Sequence, residues 1–364
     1  MKYMRTRREM EDIEPYSWEK SSREIAQEFD LPVDKIIRFD LNTSPDIPQE
    51  LLEKAIQSIP RLKIHEYPDT SYRKLSSLLA EYCEVNIDQI TVTNGADEAL
   101  DIISKVFLDS ESNVVVSDPT YSMFRIVSKI MGAKVKGVLR NEDLTDNFDR
   151  IKDAVDEGSR VVFLCSPNNP TGTCISRTDL LKFLQSTDCA VVVDEAYYEF
   201  SGETLIDLIN EYENLIVVRT FSKAFSLAGA RVGYMCTSKK TADFLNKVRP
   251  PNSLTVFSLE LARLALDNIE LMKSNVSALE IAKEKMKKNL EKIGLYVYPS
   301  KANFLLVDFG TRPPSLIQSM LMEKGIVVRD ISSMPMLQRC LRITVLREEQ
   351  NQQLVQTLAE ILAS

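Results

Sequence analysis

Val217-Val218-Arg219-Thr220-Phe221-Ser222-Lys223-Ala224-Phe225-Ser226-Leu227-Ala228-Gly229-Ala230-Arg231-Val232-Gly233-Tyr234 is the stretch from which the rest of the chain can be read. The apolar run 215–218 has the character of a buried strand, and it breaks into a hydroxyl-rich turn that holds one lysine. A lysine amine is inert while protonated. In an apolar site, or beside a second cation, its pKa falls and it can form a Schiff base with a carbonyl. Arg231 supplies such a cation and a partner for a phosphate. Most lysines after a strand are solvated surface groups, so Lys223 takes its meaning from the rest of the chain.

Working outward, runs 114–117, 161–165, 190–193 and 232–236 are short and rich in β-branched residues, and helix-like stretches separate most of them. Strands apolar on both faces predict a mostly parallel sheet covered by helices. Polar clusters follow them: Asp118-Pro119-Thr120-Tyr121, Ser166-Pro167-Asn168-Asn169-Pro170-Thr171-Gly172, Asp194-Glu195-Ala196-Tyr197, and 220–223. Ligands of open α/β sheets bind beyond the carboxyl ends of strands, so the clusters predict one composite site. Asp194, directly after three valines, is a carboxylate whose burial is costly without a cationic partner. Upstream, Ile90-Thr91-Val92-Thr93 reads as a strand entering Asn94-Gly95-Ala96-Asp97-Glu98 and a helix through Phe107. Such a helix start presents N–H groups and positive dipole to an anion, although glycine and asparagine serve plain caps as well.

The 364 residues, 44% apolar and 27% charged, suffice for a large core in two domains. A net charge of −8 argues against nucleic acid or an anionic membrane as a bulk partner, while leaving room for a local basic pocket. The six cysteines show no CxxC spacing, and neither a signal peptide nor an apolar run of membrane-spanning length is present. A reduced, cytoplasmic enzyme is expected. His65 is the one histidine, which excludes a zinc site of two or three imidazoles, and no metal is expected. Chemistry must then come from lysine, tyrosine, carboxylates or a cofactor.

At the N-terminus Lys2, Arg5, Arg7 and Arg8 are followed by Glu9, Glu11, Asp12 and Glu14, acids that a mitochondrial presequence avoids. Residues 1–41 are therefore read as a docking arm, carrying Tyr16 and Trp18, that joins a small domain. Within it, 21–29 predicts a helix and 36–41 a strand running into Asn42-Thr43-Ser44-Pro45. Residues 42–250 form the large domain, in which helices 48–58 and 72–82 flank the loop His65-Glu66-Tyr67-Pro68-Asp69. After Pro250-Pro251, residues 251–364 supply one long helical stretch, 254–293, and a small α/β domain. Its expected strands are 296–298, 304–308, 326–329 and 341–345, with helices 315–324 and 347–362.

From about Pro15 onward these clusters, with Cys340-Leu341-Arg342-Ile343-Thr344-Val345, resemble the fold-type I enzymes that use pyridoxal 5'-phosphate. Within them the chain is most similar to the histidinol-phosphate aminotransferases. The resemblance implies an α/β large domain with a mostly parallel seven-stranded sheet, and a homodimer with shared active sites. It implies that Lys223 bonds the cofactor, that Asp194 pairs with its ring nitrogen, that Asn169 and Tyr197 hold its phenolic oxygen and that Tyr121 stacks on its ring. Ala96, Asp97, Thr220, Ser222 and Arg231 align with the phosphate cup, and Tyr67 reaches it from the second subunit. Arg342 aligns with the arginine that takes a substrate carboxylate, Arg329 with one that holds a substrate phosphate, and Tyr16 lies at the same end. The implied substrates are a phosphorylated amino alcohol and glutamate or 2-oxoglutarate. Two positions depart from the pattern: Thr43 in Asn42-Thr43-Ser44-Pro45 replaces an acid, and Leu346 stands where a glycine is common. Threonine-phosphate decarboxylase, an aromatic-amino-acid aminotransferase and a cofactor-binding regulator are the alternatives, the last lacking sequence for a DNA-binding domain.

Overall fold

The computed structural model describes residues 5–13, 15–16 and 19–363, so Lys2, Glu14, Ser17 and Trp18 of the expected arm lie outside it. Seven strands make the central sheet: β1 (Ile90–Thr93), β2 (Asn113–Asp118), β3 (Lys134–Leu139), β4 (Ser159–Cys165), β5 (Ala190–Asp194), β6 (Leu215–Thr220) and β7 (Gly233–Thr237). Their spatial order is β1-β7-β6-β5-β4-β2-β3. Only β7 opposes its neighbours, which leaves the carboxyl ends of β1, β2, β4, β5 and β6 on one edge. Every residue of β2, β5, β6 and β7 is buried, as the apolar runs predict, because helices pack on both faces. Leu100, Ile103, Phe124 and Phe163 fill one face, with Phe124 stacked on Phe163 at 5.0 Å. Leu79, Phe183, Phe221 and Tyr234 belong to the core on the other.

β3 was not legible as a strand. Its sequence, Lys134-Val135-Lys136-Gly137-Val138-Leu139, is largely open to solvent at the sheet edge, where lysines discourage further pairing.

The expected helix 254–293 is two helices, Val256–Asp267 and Ile269–Lys292, broken at Asn268, whose side-chain amide donates to the Leu264 carbonyl at 2.7 Å. Beyond them lie β8 (Tyr296–Val297), β9 (Phe304–Asp308), β10 (Ile326–Val327), β11 (Arg329–Asp330) and β12 (Cys340–Thr344). The single run expected at 326–329 serves two sheets. β10 pairs in parallel with the two-residue strand Ile37–Arg38, while β11 joins the antiparallel sheet β11-β12-β9-β8. Phe39 ties the two together: its N–H donates to the Val327 carbonyl at 2.7 Å and its carbonyl accepts from Thr344 at 2.8 Å. The expected strand 36–41 is thus short because residues 39–42 cross from one sheet to the other, delivering Asn42 to the edge where the large sheet ends.

Candidate active site

Beyond the carboxyl ends of β4, β5 and β6 lies a cavity of about 310 Å³ lined by Cys165, Asp194 and Thr220 from those strand ends. Lys223 enters it from the turn after β6, where the Ser44 hydroxyl donates to the Lys223 carbonyl at 2.7 Å. The Lys223 Nζ atom donates to the Leu41 carbonyl at 3.5 Å and stands 5.7 Å from the centre of the Tyr197 ring. Desolvation, followed by the positive charge of Arg342, lowers its pKa from 10.5 to about 8. The amine is therefore available as a nucleophile near neutral pH.

Asp194 ends β5 and is 3% exposed. Its Oδ1 accepts the Ala196 N–H at 2.9 Å, and no ion pair neutralises it among the described residues. Burial, only partly offset by that hydrogen bond, raises its pKa from 3.8 to about 7. A carboxylate so placed awaits a cation. Just below it Glu195 and Arg219 form a pair at 2.8 Å with side chains 1% and 3% exposed, joining β5 to β6, and Arg219 also lies over the Tyr198 ring at 3.6 Å.

The opposite wall is built for an anion. The helix Gly95–Phe107 starts where β1 ends, so its first turn, with Ala96 and Asp97, faces the cavity. Arg231 reaches over from the turn before β7 and bonds Asp97 Oδ2 at 3.2 Å. Glycine is favoured beneath it: Gly95 has φ +77°, which strains an L side chain, and a Cβ there would lie 2.7 Å from Arg231 Nη2 and push that guanidinium aside. Thr220 Oγ1 donates to Ser222 Oγ at 2.9 Å and accepts the Ser222 N–H at 3.1 Å. Tyr121 donates to Asp97 Oδ1 at 2.9 Å, so its ring stands as a wall of the same space.

The antiparallel sheet supplies cations. Arg342 of β12 donates from Nη1 to Asn169 Oδ1 at 2.8 Å and from Nη2 to the Asp40 carbonyl. Its cross-strand neighbour is Arg329 of β11, which donates to Glu19 Oε1 at 2.7 Å. Like charges in register repel. Two guanidiniums in register make this edge of the sheet locally basic.

Of the residues expected at the site, Lys223, Asp194, Tyr197, Ala96, Asp97, Tyr121, Asn169, Thr220, Ser222, Arg231, Arg342 and Tyr16 all line this cavity. Arg329 lines an adjoining one together with Tyr16. Tyr67 is in neither, and it is 85% exposed. Sequence reading missed Asn42, Asp40 and Glu19. Asn42 donates to the Tyr197 hydroxyl at 3.0 Å and exchanges bonds with Thr344 of β12 at 3.0 and 3.1 Å, so it orients that tyrosine from the small sheet. Its φ of +52° is a conformation that asparagine tolerates, and Asn before Thr-Ser-Pro was the available signal. The donor set suits the expected cofactor: an amine of lowered pKa facing the cavity, a buried carboxylate without an ion-pair partner among the described residues, and a cup of hydroxyls, N–H groups and a guanidinium.

Residues 34–358 match the family described as Aminotransferase class I and II. The histidinol-phosphate aminotransferase of Caldanaerobacter subterraneus subsp. tengcongensis is 39% identical over 331 residues, covering 90% of this chain and 93% of that protein. That of Methanothermobacter thermautotrophicus is 34% identical, with 99% and 98% covered. Among solved structures, the histidinol-phosphate aminotransferase of Sinorhizobium meliloti in complex with pyridoxal-5'-phosphate superposes with a TM-score of 0.90 at 24% identity, covering 100% of this chain and 98% of that one. The aspartate aminotransferase of Thermotoga maritima gives 0.84 at 20% identity, covering 99% and 100%.

Proposed function

The chain belongs to the class I and II aminotransferase family, and from that premise we propose that it is a histidinol-phosphate aminotransferase, which passes the amino group of histidinol phosphate to 2-oxoglutarate. Its cofactor is pyridoxal 5'-phosphate. The observation that carries the substrate reading is the in-register pair Arg329 and Arg342, at the end of a site whose floor holds Lys223 and Asp194.

When bound, the cofactor supplies an electrophilic carbon for the donor amine and a ring that takes up carbanion charge. Lys223 would hold it covalently and, as a free amine, would take onto its Nζ the proton from the substrate's amine-bearing carbon. Asp194 would keep the ring nitrogen protonated, and that cation would offset the cost of its burial. Asn169 and Tyr197 hold the phenolic oxygen, Asn42 orients Tyr197, and Tyr121 stacks on the ring. The first turn at Ala96 and Asp97, with Thr220, Ser222 and Arg231, holds the phosphate. Arg342 binds the α-carboxylate of glutamate in one half-reaction; Arg329, with Tyr16 beside it, reads the phosphate of histidinol phosphate in the other.

The exposed Tyr67 has its natural use in a homodimer, completing the phosphate cup of the partner subunit. A cytoplasmic location accords with the absence, among the described residues, of any helix long and apolar enough to cross a membrane. We propose a division into arm, large domain and small domain at residues 41–42 and 250–251, a reading supported by the grouping of strands 90–237 in one sheet and of strands 296–344, apart from the short pair with residues 37–38, in another.

Arg329→Ala should weaken histidinol phosphate by about 2 kcal/mol, roughly thirtyfold in KM, with much less effect on glutamate. Arg342→Ala should harm both. Equal losses for the two donors in Arg329→Ala would mean that this arginine shapes the pocket without reading the phosphate.

A further inference from the structure

A second cavity, of about 680 Å³, adjoins the cofactor pocket, and Tyr16, Glu19 and Asp40 line both. Lys20, Arg125, Lys129 and Arg329 give the outer cavity a basic wall. Glu19 stands at the junction. Its Oε1 takes the Arg329 Nη1 bond at 2.7 Å and a longer one from the Tyr16 hydroxyl at 3.4 Å, with the paired side chains 24% and 23% exposed.

The segment that carries Glu19 is anchored. The carbonyl of Lys20 accepts from Arg38 Nη1 at 2.9 Å, and Arg38 is itself braced by Asp40 through two bonds of 2.8 and 2.6 Å. Immediately after it, Ser21 and Glu24 close a capping box on the helix Ser22–Glu28. Asp40 is committed to Arg38, and Arg342 to Asn169 and a carbonyl. Of the two in-register guanidiniums, Arg329 is the one held by a carboxylate, so an anion that binds Arg329 exchanges with Glu19.

Resting on the reading of Arg329 given above, we propose that Glu19 is a binding-site residue that stands in for the substrate phosphate. It pairs with Arg329 in the free enzyme and is exchanged for the phosphate when the phosphorylated donor binds. A phosphate dianion can form paired charge-assisted bonds with a guanidinium and brings more charge than one carboxylate, so it wins the exchange. Leaving is eased by the same route, since Glu19 returns as the product departs.

The sign of one substitution tests this. In the holoenzyme, Glu19→Gln should lower the KM for histidinol phosphate by roughly threefold or more, the scale of a part-exposed ion pair, and tighten competitive inhibition by inorganic phosphate by the same factor. Both effects should vanish when Arg329→Ala is added. A merely structural role for Glu19 gives the opposite sign, weaker binding of every ligand. Should Arg329→Ala act selectively on the phosphorylated donor while Glu19→Gln leaves phosphate inhibition unchanged or weaker, the exchange is overturned and the reading of Arg329 stands. Should Arg329→Ala show no selectivity, that reading itself fails.

Discussion

Lys223 and Asp194 are perturbed in opposite directions by the same burial, and the two shifts have separate consequences. With a pKa of about 8, roughly a tenth of Lys223 is neutral at pH 7, against well under a thousandth for an ordinary lysine. The rate at which added pyridoxal 5'-phosphate attaches to the ligand-free protein, followed by its absorbance, should therefore rise with pH through an inflection near 8. Lys223→Ala should show no borohydride-trappable attachment and no transamination. An inflection near 10, or a fully active alanine variant, would contradict the assignment. For Asp194 the folded-state pKa is raised above 3.8, so the native ligand-free protein binds the extra proton. Its contribution to stability is present at low pH and is lost as pH rises towards about 7. Asp194→Asn should remove that slope from the thermal midpoint of the ligand-free protein while costing most of the turnover of the loaded enzyme. Both residues were legible in the sequence, because a carboxylate after three valines and a lysine in a strand-end turn are chemically out of place. Asn42 and Glu19 were not, since each works through a partner some 155 or 310 positions away that only the fold brings near.

At the scale of elements, the catalytic edge is held by a buried charge that the apolar runs concealed. Glu195 and Arg219 sit one residue from Asp194 and Thr220, and they fix the ends of β5 and β6 relative to each other. Their worth lies in mutual compensation: neither charge is tolerable alone at that depth. Glu195→Ala should destabilise the protein by about 3–5 kcal/mol in denaturant titration, far more than an exposed substitution, because Arg219 keeps its charge without its partner. A loss below about 1 kcal/mol would mean that the strand ends are held by packing alone. Strand-end clusters and fully apolar strands could be read from sequence because burial on both faces leaves a strong pattern. β3 could not, since an edge strand with lysines has neither a continuous apolar run nor clean alternation. The division of residues 326–330 between two sheets is equally invisible, because the choice of partner depends on residues 37–39 arriving from the other end of the chain.

For the whole molecule, the large sheet provides the floor, the small sheet provides Arg329 and Arg342, and the crossing segment through Asn42 joins them. In the proposed homodimer a second copy completes the scheme. Ile56 at 57%, Ile64 at 60% and Tyr67 at 85% exposure, with Leu52 and Ile59, are exposed large apolar or aromatic side chains close together in sequence, and Phe257 lies on the helix that packs against helix 49–58. Ile56→Glu with Ile64→Glu should halve the mass seen by light scattering and weaken cofactor retention, whereas an unchanged dimer would place the interface elsewhere. The choice of substrate is the claim on which most depends. Its most direct measurement supplies the purified holoenzyme with 2-oxoglutarate and, in parallel, histidinol phosphate, phenylalanine, tyrosine and threonine phosphate, while following glutamate and carbon dioxide. The expected result is glutamate formed fastest from histidinol phosphate, one for each donor consumed, without carbon dioxide. A preference for an unphosphorylated aromatic donor, or carbon dioxide released from threonine phosphate, would contradict it.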